Sequence, residues 1–257
     1  MPIAPDASLD LWTSYQPSLP AQDWVTLPLE AATAYAISAH LPVRDEPLWP
    51  FTHERNSGLR NSSRHPGDFA MPLLGAMSLP VFAANMQAGE EFSATGFVRG
   101  WIHAHLLTEI ATSFVKRSVG RHRPFYDTEA KEGRLREDDS LSFFSGHSSH
   151  AFCAATYLAR MTSLGEQSAL WRWGSTTLLF AGATWMAWGR AHDGQHHWDD
   201  VVVGAVAGTA ISSWVFSRVE SVQASPDSRG GKSDEGVVQS SLFYWDDYLG
   251  VRYSFKL

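Results

Sequence analysis

The sequence predicts an all-α helical bundle that ends in a short extended, strand-like tail. Three observations carry this. Phe97, Trp101, His105, Ile110 and Phe114 recur at helical spacing within 91–119. Three long segments, 69–89, 173–189 and 201–217, contain no charged residue. Alternation of period two is confined to the end of the chain, where Leu249, Val251, Tyr253 and Phe255 fall on one face of a strand.

Taken in order, residues 1–60 are rich in Pro, Asp and Trp and hold one helical pattern at 29–39, so they read as an N-terminal wrapping segment. The main helical domain spans 61–220. It opens with a helix over 69–88, broken at Pro80, and continues with one over 91–119. The charged stretch 127–140 lacks apolar periodicity and reads as a surface loop. Helices resume over 147–162, 168–189 and 197–219, the first opening with Ser-Gly-His-Ser-Ser, residue types suited to a helix N-terminus. Residues 221–236 form a flexible linker by composition and 237–257 the tail.

The composition is 44% hydrophobic, 12% aromatic and 18% charged, which supports a sizeable core and excludes a disordered chain. A net charge of −7 argues against a nucleic-acid partner, which would select a basic face. Cys153 is the single cysteine, so neither an intrachain disulfide nor a cysteine-based zinc site can form. The start, M-P-I-A-P-D-A-S-L-D, has neither a basic opening nor an apolar run of the signal-peptide kind. Spanning helices need roughly 20 mainly apolar residues. The charge-free segments are interrupted by Pro, Asn and Gln, or by Gly, Ser and Thr, and read as buried helices of a soluble or membrane-adjacent bundle.

The chemistry concentrates in R-A-H-D-G-Q-H-H-W-D-D, residues 190–200. His192, His196 and Asp200 at i, i+4 and i+8 would form a metal face on one continuous helix, although Asp193-Gly194 is a turn signal between them. Upstream, Lys116 and Arg123 stand two helical turns apart ahead of Pro124 and make either an anion cradle or a solvated helix end. Between these segments, Ser145-Gly146-His147 enters a helix whose first N–H groups can receive an anion.

The ordered set K-x6-R-P, S-G-H and R-x5-H-x3-D resembles the three-part signature of the type 2 phosphatidic acid phosphatase superfamily, which includes bacterial acid phosphatases, lipid phosphate phosphatases and vanadium haloperoxidases. The matching residues are Lys116, Arg123, Pro124, Ser145, Gly146, His147, Arg190, His196 and Asp200. Two positions depart from the pattern: Phe144 stands where the family has proline, and Gly189 where it has serine. Neither change removes a charge or an imidazole.

The resemblance implies a helical phosphatase domain and a metal-independent phosphatase acting on a phosphomonoester or on a lipid or polyprenyl phosphate. His196 would be the nucleophile that forms a phosphohistidine, His147 the acid for the leaving group, and Asp200 the group that sets the His196 tautomer. Lys116, Arg123, Ser145, Gly146 and Arg190 would bind the phosphoryl oxygens. An unperturbed histidine pKa of about 6.5 would suit both imidazole roles. No cofactor is implied, although vanadate can enter as a phosphate mimic. A vanadium-dependent haloperoxidase using the same pocket is the alternative activity; a metal hydrolase and a non-enzymatic interaction module are more distant ones.

The remaining residues of the cluster, His192, Asp193, His197 and Asp199, read as rim groups, and Trp198 as a packing residue. Arg121 and His122 read as solvated, and His150 as a partner of His147. Resemblance to short bacterial members, with H-x-W-x-D-V before a small-residue helix, implies the cell envelope and the periplasm, with peripheral membrane association.

Overall fold

The structure, a computed structural model, describes residues 23–59, 76, 94–163, 168–223, 239–245 and 248–254. The chain divides into two compact units, Met1–Glu220 and Ser221–Leu257. In the first, the helices are α1 (Asp23–His40), α2 (Ala94–Val119), α3 (Tyr126–Lys131), α4 (Gly146–Thr162), α5 (Ala169–His192) and α6 (Trp198–Gln223), the last running on to Gln223. Two 3-10 turns, Phe51–His53 and Glu137–Ser140, complete the described elements of that unit. The fold is all-α. The second unit holds an antiparallel hairpin of β1 (Gln239–Trp245) and β2 (Tyr248–Ser254), with Trp245 opposite Tyr248. Phe255, most of the expected 69–88 helix and most of the expected linker lie outside the described residues.

Helix α4 is the centre of the bundle because its side chains are small or apolar on every side. Ser148, Ser149, Ala151, Cys153, Ala154, Ala155, Tyr157, Leu158 and Met161 are all buried. A helix apolar all round must be surrounded by others. From α2, the Phe97 ring packs on Tyr157 at 5.3 Å between centroids, and its carbonyl accepts from the Tyr157 hydroxyl at 3.1 Å. From α5 come Leu179, Ala183 and Met186, and from α6 Val215 and Phe216. Burial raises the Cys153 thiol to about 11, so it stays protonated and acts as a small core residue.

The approach of α6 to α4 is set by glycine. A Cβ on Gly204 would lie 2.6 Å from the Ser145 carbonyl oxygen, and one on Gly208 would lie 1.9 Å from that of Ser149. Hydroxyls tie the two backbones together: Ser148 Oγ donates to the Val201 carbonyl at 2.7 Å and Ser212 Oγ to the Cys153 carbonyl at 2.9 Å.

Residues 41–59 run as a strap beside the end of α2 and the loop that follows. Arg44 N–H donates to Arg117 O at 3.0 Å, Leu48 N–H to Val119 O at 2.8 Å, and Gly58 N–H to Pro124 O at 2.7 Å. Gly120 permits this contact, since at φ +63° it turns the chain, and a Cβ there would lie 2.7 Å from Arg44 O.

The stretch 127–140 differs from the expected surface loop. It contains part of α3 and the whole Glu137–Ser140 turn, with Glu129 and Asp139 buried. The Asp139 carboxylate accepts from Arg136 N–H at 2.9 Å, and its carbonyl from Arg123 N–H at 2.8 Å. Its charges serve the segment's own turns and so leave no apolar period to read.

Candidate active site

The three sequence motifs come from separate elements: the end of α2 with its following loop, the start of α4, and the turn between α5 and α6. Helix α5 ends at His192, and Gly194, at φ +65°, turns the chain back so that Gln195 and His196 N–H both donate to Arg190 O, at 3.0 and 3.1 Å. Asp200 lies in the first turn of α6 and accepts from His197 N–H at 3.0 Å, closing that helix start.

His196 is 3% exposed and Asp200 fully buried. His196 Nδ1 lies 3.5 Å from Asp200 Oδ2, which leaves Nε2 as the nitrogen not engaged by the carboxylate. Ser142 Oγ donates to the same oxygen at 2.5 Å and lies 3.5 Å from His196 Nδ1. Burial pushes the His196 pKa down to about 3; Asp200 opposes the shift, and the charges of Lys116 and Arg123 add to it. The unshifted value expected for this imidazole is therefore corrected: desolvation keeps the ring neutral well below neutral pH. Burial also opposes ionisation of Asp200, but hydrogen bonds from His196 and Ser142 and the Arg121 charge outweigh it and hold the carboxyl at about 2.

Hydrogen bonds join the motifs. Arg123 Nη1 donates to the Gln195 carbonyl at 3.0 Å, linking the first motif to the third. Ser145 N–H donates to the Asp200 carbonyl at 3.0 Å, linking the second to the third. A Cβ on Gly146 would lie 3.8 Å from Lys116 Cε, so the first and second motifs are neighbours as well. Lys116 Nζ donates to Leu141 O at 2.5 Å, and burial first, then the Arg123 charge, lowers its pKa to about 7. Ser145 is the N-cap of α4, its oxygen accepting from Ser148 N–H at 3.4 Å. His147 is exposed on the first turn of that helix, and Arg190 is half-buried at the end of α5.

Several groups stand elsewhere than the sequence suggested. Arg121 is 3% exposed, not solvated, and its Nη1 donates to Asp200 Oδ1 at 2.6 Å. Trp198 is 57% exposed and is no core residue. His150 pairs with Glu109 at 3.0 Å and with the His105 ring at 3.0 Å. His192 is exposed, its ring stacked on Trp188 at 4.6 Å, and the turn at 193–197 breaks the single helix on which a His192–His196–Asp200 metal face depended. Ser142 and Arg121 were not singled out as site residues by the sequence. Their nearness to the motifs, three residues before Ser145 and two before Arg123, was the available signal.

Comparison with known families matches residues 100–223 to the PAP2 superfamily. The matched span is 124 of the chain's 257 residues. All nine motif residues lie within it. Among similar proteins, Probable diacylglycerol pyrophosphate phosphatase 1 of Schizosaccharomyces pombe is 24% identical over 145 residues, covering 47% of this chain and 52% of that one. Phospholipid phosphatase 2 of Rattus norvegicus is 32% identical over 108 residues, covering 39% and 34%. Lipid phosphate phosphatase 1 of Arabidopsis thaliana is 28% identical over 145 residues, covering 47% and 44%. The chain thus spans about half the length of these curated relatives or less. No solved structure matches it significantly. The strap at 41–59 lies outside the matched span.

Proposed function

We propose that the chain is a metal-independent phosphatase that hydrolyses a phosphomonoester, with lipid phosphates as the substrate class, through a phosphohistidine on His196. The observation that carries this is a neutral imidazole, buried and backed by a carboxylate at 3.5 Å, in the field of Lys116 and Arg123. A ring held on Asp200 through Nδ1 keeps the Nε2 lone pair for in-line attack on phosphorus. Lys116, Arg123 and Arg190, with the Ser145 hydroxyl and the first N–H groups of α4, take the charge of the phosphoryl oxygens. His147 protonates the departing alkoxide, then takes a proton from the water that attacks the phosphohistidine, releasing phosphate and restoring both imidazoles.

The substrate class is supported by the relatives, which are named for phospholipid, lipid phosphate and diacylglycerol pyrophosphate substrates. Lipid contact is supported by the exposed apolar face of α5, which carries Trp173, Leu178, Trp185 and Trp188. We place the enzyme in the cell envelope, on the periplasmic side and peripheral to the membrane.

The test is phosphate release from an aryl phosphate. Activity that resists chelators, is inhibited by orthovanadate and falls at least about a thousandfold in His196→Ala is expected for this mechanism. Loss on chelation with recovery on zinc would reverse the metal-independent reading. Bromide oxidation by peroxide with added vanadate, in place of phosphate release, would make the protein a haloperoxidase.

A further inference from the structure

Arg121 is a buried cation that the mechanism above does not use. Its guanidinium divides between two duties. The Nε–Nη2 edge grips the Glu54 carboxylate in a bidentate pair, Nε donating to Oε2 at 2.8 Å and Nη2 to Oε1. Nη1 donates to Asp199 Oδ2 at 2.7 Å and to Asp200 Oδ1 at 2.6 Å. The Phe51 ring lies against the guanidinium, 4.1 Å from its carbon, and packs on Phe143 in turn. With four donor contacts to carboxylates, this arginine is a structural clamp and not a phosphate ligand.

The clamp bears on the attacking imidazole. One Asp200 oxygen is held by Arg121, while the other takes Ser142 Oγ, His197 N–H and the His196 ring. The plane of that carboxylate, and hence the aim of His196, follows the position of Arg121. On its far edge that position is secured, among the described residues, by Glu54, which takes both Nε and Nη2. Glu54 belongs to the strap, which is fastened along its length to the end of α2 and the loop bearing Arg121 and which lies outside the span matched to the PAP2 superfamily.

We propose that Glu54 is a positioning residue for the His196–Asp200 pair, acting through Arg121, so that the strap completes the active site from outside the span matched to the PAP2 superfamily. This rests on the phosphohistidine reading for its kinetic consequences, but not for the geometry it asserts. The Glu54 side chain is 27% exposed, so Glu54→Gln preserves shape and keeps one acceptor for the buried Arg121, while removing the charge and the second acceptor of the bidentate pair.

In Glu54→Gln, kcat for an aryl phosphate falls about 10- to 100-fold, the usual effect of removing an outer hydrogen-bond partner. KM stays within about twofold and the unfolding midpoint changes little, which a merely structural role would not give. In an Arg121→Gln background the same change has no further effect on kcat, since Glu54 has lost the group it acts through. A 15N–1H spectrum of the His196 ring supplies a readout that needs no turnover: a single Nδ1–H tautomer in the wild type, a mixture in Glu54→Gln. An unchanged kcat in an active enzyme, an equal loss in both backgrounds, or an unchanged tautomer overturns the proposal. A wild type that releases no phosphate overturns the phosphatase reading instead, and the ring spectrum then decides this one separately.

Discussion

At the scale of single residues, the pocket keeps one group neutral and holds another at the edge of losing its charge. His196 is held uncharged down to about pH 3, chiefly by burial. Lys116 is lowered by burial and by Arg123 to about 7, partly offset by Asp200, Glu109 and Asp138. A lysine so placed carries its charge below that pH and gives it up above. The unfolded chain keeps this lysine protonated to about 10.4, so it binds more protons than the folded one between the two values. The penalty of burying the cation is therefore full below about 7 and is relieved as pH rises through that window. Activity moves the other way, because an anion needs the cation. The expected profile of kcat/KM descends above pH 7 with a slope approaching tenfold per unit. Lys116→Arg keeps the charge at every working pH, so it lowers the rate but flattens that limb; a limb that persists in this variant would assign it to another group. The motif residues were legible because phosphoryl chemistry demands particular side chains at particular spacings. Glu54 and Arg121 were not: 67 residues separate them, and a charged side chain read in isolation looks solvated.

Among the elements, the decisive one is the crossing of α4 and α6. It places Ser145 beside Asp200 through the 3.0 Å hydrogen bond between their backbones. The crossing depends on Gly204 and Gly208, whose added Cβ atoms would meet backbone carbonyl oxygens that cannot swing aside. Gly208→Ala must part the helices, at a cost of about 1–3 kcal/mol or more. It is expected to lower both the urea midpoint and the phosphatase rate. Gly174→Ala is the contrasting case, on α5 with nothing within 4 Å of the new Cβ. It should leave activity alone and raise stability by up to about 1 kcal/mol through helix propensity. Equal urea midpoints for the two variants would show that the close approach is not what Gly208 provides. Helix positions such as Gly146–Thr162 were legible from periodicity and capping residues. The turns within 127–140 were not, because Asp139 satisfies its own backbone neighbourhood and leaves no repeating pattern.

Across the whole molecule, the distribution of apolar surface ties the site to its proposed substrates. On α5, Leu170, Trp173, Thr177, Leu178, Ala181, Thr184, Trp185 and Trp188 are exposed along one helical stripe. It carries no charge for about 27 Å of helix, counting 1.5 Å per residue. Helix α6 has a similar face in Val202, Val203, Val206 and Trp214, and Trp198–Arg218 is long and apolar enough to cross a membrane. Exposed tryptophan costs free energy in water and gains it at a lipid–water boundary, where the indole ring is buried and its N–H stays wet. Periodicity alone could not separate such a stripe from a core-facing one, since both are apolar at helical spacing. On this reading the protein floats with phospholipid vesicles in a density gradient and is released at high pH, as a peripheral protein is. The variant Trp173→Ser/Trp185→Ser should stay at the bottom of the gradient while hydrolysing a soluble aryl phosphate at the wild-type rate. Its rate on a lipid phosphate presented in vesicles should fall at least about tenfold, because what it loses is access to the surface and not the chemistry at His196. Equal flotation of variant and wild type would remove the stripe from lipid contact; resistance to high pH would make α5 and α6 spanning helices.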